Sequence, residues 1–228
     1  MLPQTSLRTA PVVHSFPNSA RPLAPTSGGF GGIEAMASPM TFGPNEEIFG
    51  EDEPAEYAYK VIKGVIRTYK ILSDGRRQIG AFYVPGDVFG LEIGKAHQFS
   101  AEAISNATVL VVRRSAIVSL AERDCHAAQE LWRYTGRELH RVQEHMMLLV
   151  KTAQQRVVSF LLEMSDRLAT TDELDLPMSR QDIADYLGLT IETVSRTMTQ
   201  LVSDRTIGLP SSRRIVLRDR RVLRELNS

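Results

Sequence analysis

Apolar and polar positions alternate in short runs over residues 49–112, then recur at spacings of three and four towards the end of the chain. The first regime predicts strands. The run 57–62 leads into Lys63-Gly64, the run 65–72 leads into Ser73-Asp74-Gly75, and residues 78–84 return. Asp-Gly between two alternating runs signals a hairpin, because the central residues of a tight turn need φ > 0. Pro85-Gly86-Asp87 turns the chain into residues 88–92, and residues 99–103 and 107–112 add further strand. Short strands punctuated by glycine predict a jelly-roll-like β-roll.

The second regime begins near Ser115. Leu139, Val142, Met146, Leu149 and Ala153 form a narrow apolar stripe of coiled-coil type. A helix over residues 126–150 would be about 38 Å long at 1.5 Å per residue. So narrow a seam on so long a helix predicts a homodimer held through Leu139, Val142, Met146 and Leu149. Leu131 and Trp132, upstream, are candidates to pack on the roll instead. Val157, Val158, Phe160, Leu161, Leu162, Met164 and Leu168 then give a densely apolar helix, and residues 170–177 read as a link.

Residues 179–203, SRQDIADYLGLTIETVSRTMTQLVS, predict a helix-turn-helix. Ser179 and Asp182 form an N-cap and acidic N3 pair. Ile183, Ala184 and Leu187 make one apolar face, and Gly188 supplies a residue able to take φ > 0 at the turn. Thr190 caps a second helix that buries Val194, Met198 and Leu201. Its exposed face carries Glu192, Thr193, Ser195 and Arg196, a compact set for reading base edges near a helix N-terminus. Downstream, Ile207-Gly208-Leu209 and Arg214-Ile215-Val216-Leu217 flank a turn and read as a wing. Arginines at 196, 205, 213, 214, 218, 220, 221 and 224 outnumber the local acids, which suits a phosphate backbone. Ser179, Arg180, Thr190, Thr193, Ser212 and Arg213 are the phosphate candidates; Glu192, Ser195 and Arg196 are the base-contacting ones.

Composition narrows the alternatives. The 228 residues carry 27 basic and 27 acidic side chains, so DNA binding must come from a local patch. No apolar run is long enough to span a membrane. The first forty residues are rich in Pro, Ser, Gly and Thr without an apolar signal region, and are expected to form a flexible tail over residues 1–44. Cys125 is the single cysteine, which fits a reducing cytoplasm. Asp124 would raise its pKa and Arg123 would lower it, so redox reactivity stays open and a semi-buried structural role is favoured. The five histidines show no metal-ligand grouping, and no cysteine cluster could hold zinc or iron–sulfur; no cofactor is expected. No Gly-rich phosphate loop and no nucleophile motif point to an enzyme.

The order β-roll, long helix, winged helix-turn-helix resembles the CRP/FNR family of bacterial transcription regulators over residues 45–228. The segments GVIRTYKILSDGRRQIGAFYVPGDVFGLE and DIADYLGLTIETVSR are similar to its FixK-type branch. The resemblance implies an α+β fold with a roll over 45–114, a helical linker and dimerisation helix over 115–152, and a DNA-binding domain over 153–228. It implies a cytoplasmic homodimeric activator on a palindromic promoter, in contact with RNA polymerase, and FixK-type regulators act on microoxic respiration and nitrogen-fixation genes. The Glu192, Ser195, Arg196 triplet implies TTGAT-type half-sites in inverted repeat. The cyclic-nucleotide branch needs an arginine where this chain has Gln98-Phe99-Ser100, and the FNR branch needs a cysteine cluster absent from the tail. Control without an effector is therefore expected. The rival readings are a roll that senses an unidentified small molecule, and a cupin-type metal module.

Overall fold

In a computed structural model, which describes residues 31–168, 170 and 172–227, the chain opens with α1 (Gly31–Glu34) and enters the roll. Its strands are β1 (Ser38–Phe42), β2 (Glu47–Phe49), β3 (Tyr57–Lys63), β4 (Ile66–Ile71), β5 (Arg77–Tyr83), β6 (Val88–Phe89), β7 (Ser100–Ala103) and β8 (Ala107–Arg113). They form two antiparallel four-stranded sheets, ordered β1-β8-β3-β6 and β2-β7-β4-β5. The expected hairpin is β4–β5, with Ile71 opposite Arg77 and Gly75 at φ +82°. Alternation aims Phe49, Tyr59, Val61, Ile66, Tyr83, Phe89 and Val109 into one core between the sheets.

The tail expected over residues 1–44 is corrected at its end. Residues 38–42 form β1, registered from Ser38 on Val111 to Phe42 on Ala107. Pro39 is tolerated because β1 lies at the sheet edge, where a missing N–H breaks no ladder. Ile33 of α1 is fully buried among Ala58, Val88, Val112, Ile117 and Tyr134, and Glu34 pairs with Lys60. Residues 1–30 of the expected tail lie outside the described residues.

Helix α2 (Arg114–Ala121) leads to α3 (Cys125–Leu148), which Asp124 caps by accepting from the His126 N–H. Its 24 residues span about 36 Å at 1.5 Å per residue. Leu139, Val142, Met146 and Leu149 are 46–61% exposed and form a continuous apolar face. Leu131 packs on the roll side, as expected, but Trp132 is 81% exposed. Ala153 does not continue the stripe, because a Thr152 capping box restarts the chain as α4 (Ala153–Arg167). Cys125 is exposed at the start of α3, contrary to the semi-buried position expected.

The C-terminal domain adds β9 (Glu173–Asp175), α5 (Arg180–Leu187), α6 (Ile191–Ser203), β10 (Ile207–Gly208), β11 (Arg214–Leu217) and α7 (Arg220–Leu226). The segment expected to be only a link contains β9, which makes a third strand in the order β10-β11-β9. One apolar core joins α4, α5, α6, the wing and α7 to Val65, Ile79, Phe82 and Val84 of the roll.

Candidate nucleic-acid interface

Helix α5 begins as its sequence predicts. The Ser179 hydroxyl accepts from the Asp182 N–H at 3.0 Å, while Asp182 Oδ2 accepts from the Ser179 N–H at 2.9 Å. It ends at Gly188, whose φ of +61° lets the Leu189 N–H reach the Ala184 carbonyl at 3.0 Å. Helix α6 starts on Thr190, whose hydroxyl accepts from the Thr193 N–H at 3.2 Å. Ala184 and Val194 are both fully buried at the crossing, so the two helices approach closely.

The buried stripe Val194, Met198, Leu201 leaves Glu192, Ser195 and Arg196 exposed on the opposite face of α6. Glu192 and Arg196 lie one helical turn apart, and neither makes a salt bridge among the described residues. Their charged heads are available to a partner. A guanidinium fork matches the O6 and N7 acceptors of guanine, and a carboxylate accepts from an exocyclic amine.

The phosphate candidates differ in how free they are. Ser212 and Arg213 are exposed at the wing turn. Thr190 is exposed and Thr193 half-buried, with their hydroxyls 3.0 Å apart. The Ser179 hydroxyl donates to Asp182 Oδ2 at 2.8 Å and so is already committed to its cap. Arg180 is half-buried, and burial holds its guanidinium below the ordinary arginine pKa. Some arginines of the basic cluster have partners within the chain. Arg214 pairs with Glu173, and Arg220 donates to the Thr170 carbonyl at 3.0 Å. Arg214 thereby joins β11 to β9 at the surface, and Arg220 joins α7 to the end of α4.

One positioning residue gave no local sequence signal. Arg156 of α4 donates to the carbonyls of Leu149 at 2.6 Å, Lys151 at 3.0 Å and Leu187 at 3.0 Å. It ties the end of α3 to the end of α5 by satisfying carbonyls that helix ends leave open.

A roll carrying a helix-turn-helix on a long helix, with a bare polar face on the second helix, defines a DNA-binding regulator. Residues 155–226 match the Crp-like helix-turn-helix domain and residues 39–124 the cyclic nucleotide-binding domain. The chain belongs to the CRP/FNR family of transcription regulators, in its FixK-type branch. It is 52% identical over 202 residues to the nitrogen fixation regulation protein FixK of Azorhizobium caulinodans, covering 86% of this chain and 82% of that one. It is 42% identical over 180 residues to the transcriptional activatory protein AadR of Rhodopseudomonas palustris, covering 77% and 75%. The fold matches the solved FixK2 of Bradyrhizobium japonicum with a TM-score of 0.81 at 52% identity, over 84% of this chain and 98% of that chain. The chain is thus a transcription activator of this type and not an enzyme. No helix among the described residues is long and apolar enough to cross a membrane.

Proposed function

We propose that the protein is a cytoplasmic homodimer that activates promoters carrying an inverted TTGAT-type repeat, without a cyclic nucleotide or iron–sulfur effector. The observation that carries the reading is the pairing of two bare surfaces: the polar face of α6 and the apolar face of α3. An apolar face of this length is poorly tolerated in water and suits a second copy of the same helix. Two copies then present two reading helices to two half-sites, with contact to RNA polymerase from the bound dimer. Relatives bear the name nitrogen fixation regulation protein, which supports nitrogen-fixation genes as targets.

Support for effector independence comes from the roll. Its interior holds the rings of Phe49, Tyr59, Tyr83 and Phe89, with buried His97 stacked 3.6 Å from Phe49. Gln98 is exposed, and Phe99 and Ser100 follow it without a cation that could pair with a buried cyclic phosphate. Glu92 Oε1 lies 3.2 Å from His97 Nδ1, and Arg114 donates to the carbonyls of Ala55 at 2.6 Å and Gly94 at 3.1 Å. Glu92 thus faces His97, Arg114 is held by backbone carbonyls, and the lack of a cation in the 98–100 segment supports a roll that takes no cyclic nucleotide.

The test is a gel shift in air with metal-free protein and no added ligand, on a duplex bearing the inverted repeat. Binding at physiological salt is expected; binding that appears only with cyclic AMP would overturn effector independence. Val142→Glu should make the protein monomeric in sedimentation, because two charges would meet unpaired in an apolar seam. Its DNA affinity should fall roughly a hundredfold or more, since half of the specific contacts are lost.

A further inference from the structure

The roll and the DNA-binding domain meet in an aromatic seam closed by ions at both edges. Phe82 of β5 lies 6.0 Å from Phe160 of α4 and 5.1 Å from Tyr186 of α5, between ring centroids. At one edge Arg167 of α4 donates to Asp87 of the roll at 2.7 Å. At the other edge the polarity is reversed. Arg67 of β4 and Arg77 of β5 donate to Asp182 Oδ1 at 2.9 and 2.6 Å, and Arg77 also donates to Asp185 at 2.8 Å.

Asp182 is the same carboxylate whose Oδ2 closes the capping box with Ser179. A single side chain therefore joins the N-terminus of α5 to two strands of the roll. Arg67 is fixed in turn by Glu102 at 2.7 Å and Asn45 at 3.4 Å. The side chains of Arg67 and Asp182 are 9% and 5% exposed, so bulk salt screens the pair little. Burial opposes ionisation of Asp182, but the Ser179 donors, Arg67 and Arg77 outweigh it and hold the carboxyl below its ordinary pKa.

We propose that Arg67 and Arg77 are positioning residues for DNA recognition, fixing α5, and α6 packed on it, in the frame of the roll. The reading helix then cannot swing independently of the dimer. This rests on the dimer and inverted repeat proposed above. Two fixed helices accept one half-site spacing, because each inserted base pair moves the second half-site by about 3.4 Å and turns it by about 35°. Loosened helices can follow that shift.

The experiment measures binding of the full chain to the inverted repeat and to versions with one base pair added or removed between half-sites. Wild type should lose roughly thirtyfold or more on either change. Arg67→Met/Arg77→Met should bind the parent site about tenfold more weakly and lose less than about threefold on the spacing changes. Arg77→Gln keeps the Arg67–Asp182 pair and should give an intermediate spacing ratio. A role in stability alone would lower the folded fraction and leave that ratio at the wild-type value, which would overturn the proposal. If circular dichroism finds the double variant unfolded, Arg77→Gln decides on the same criterion. Failure of wild type to bind the inverted repeat at any spacing is a separate outcome: it removes the dimer-on-palindrome reading, and this inference with it.

Discussion

The interior of the roll and the outer face of α6 treat their functional groups in opposite ways. Between the sheets, Phe89 lies 5.0 Å from Tyr59, 5.0 Å from Tyr83 and 6.0 Å from Phe49. The Tyr83 hydroxyl donates to Glu138 of α3 at 3.0 Å, and the Arg141 guanidinium sits 4.9 Å above the Tyr83 ring. Each group there finds its partner within the chain. On α6, Glu192, Ser195 and Arg196 point outward, while the buried stripe beneath them does the folding. In the domain that matches the cyclic nucleotide-binding family these aromatic side chains pack on one another, whereas on α6 the polar groups are left bare.

Three substitutions would break or sharpen that contrast. The largest effect is expected in the roll: Phe89→Ala should lower stability by about 3–5 kcal/mol, because it removes a buried ring and leaves a cavity. Denaturant unfolding measures the loss, and base preference in the surviving folded protein should be unchanged. On α6 the pattern should reverse. Arg196→Ala should cost about 1–3 kcal/mol of discrimination at one G·C pair in each half-site, with an unchanged melting temperature. Competition with duplexes altered at that pair gives the value, and a mutant that discriminates like wild type would reduce Arg196 to a phosphate clamp.

The smallest effect concerns His145 of α3, 4.3 Å from Tyr186 between ring centroids. Burial holds its imidazole below the ordinary histidine pKa, so the folded state prefers the neutral ring. As pH falls through about 6.5 the unfolded chain takes up the proton before the folded one, and stability is lost. His145→Gln should flatten the fall in melting temperature between about pH 7 and about pH 5. An unchanged acid slope would move the titration to another group.

What could be read from the sequence was what local pattern encodes. Ser179, Asp182 and Gly188 specify the ends of α5 within ten residues, and Asp74-Gly75 specifies the β4–β5 hairpin. The bare face of α6 follows from the spacing of Val194, Met198 and Leu201. Strand β1 was hidden because Pro39 lies in a Pro/Ser/Gly-rich stretch and its partner β8 is about seventy residues away. Strand β9 has three residues, too few to show alternation. The Arg67–Asp182 pair spans 115 positions. Its one local trace is an arginine between Ile66 and Thr68, all three buried in β4, which calls for a carboxylate without saying which.

The exposed indole of Trp132 has an optical consequence. It is the only tryptophan in the chain, and it stands seven residues before Leu139 and fourteen before Met146, on the same line of α3. Emission from the whole protein in that band therefore comes from one ring at the upper end of the apolar face. If a second copy covers that face, dilution should shift the emission to the red and make it more accessible to a soluble quencher. The chain thus carries its own concentration-dependent signal for assembly, with no label attached.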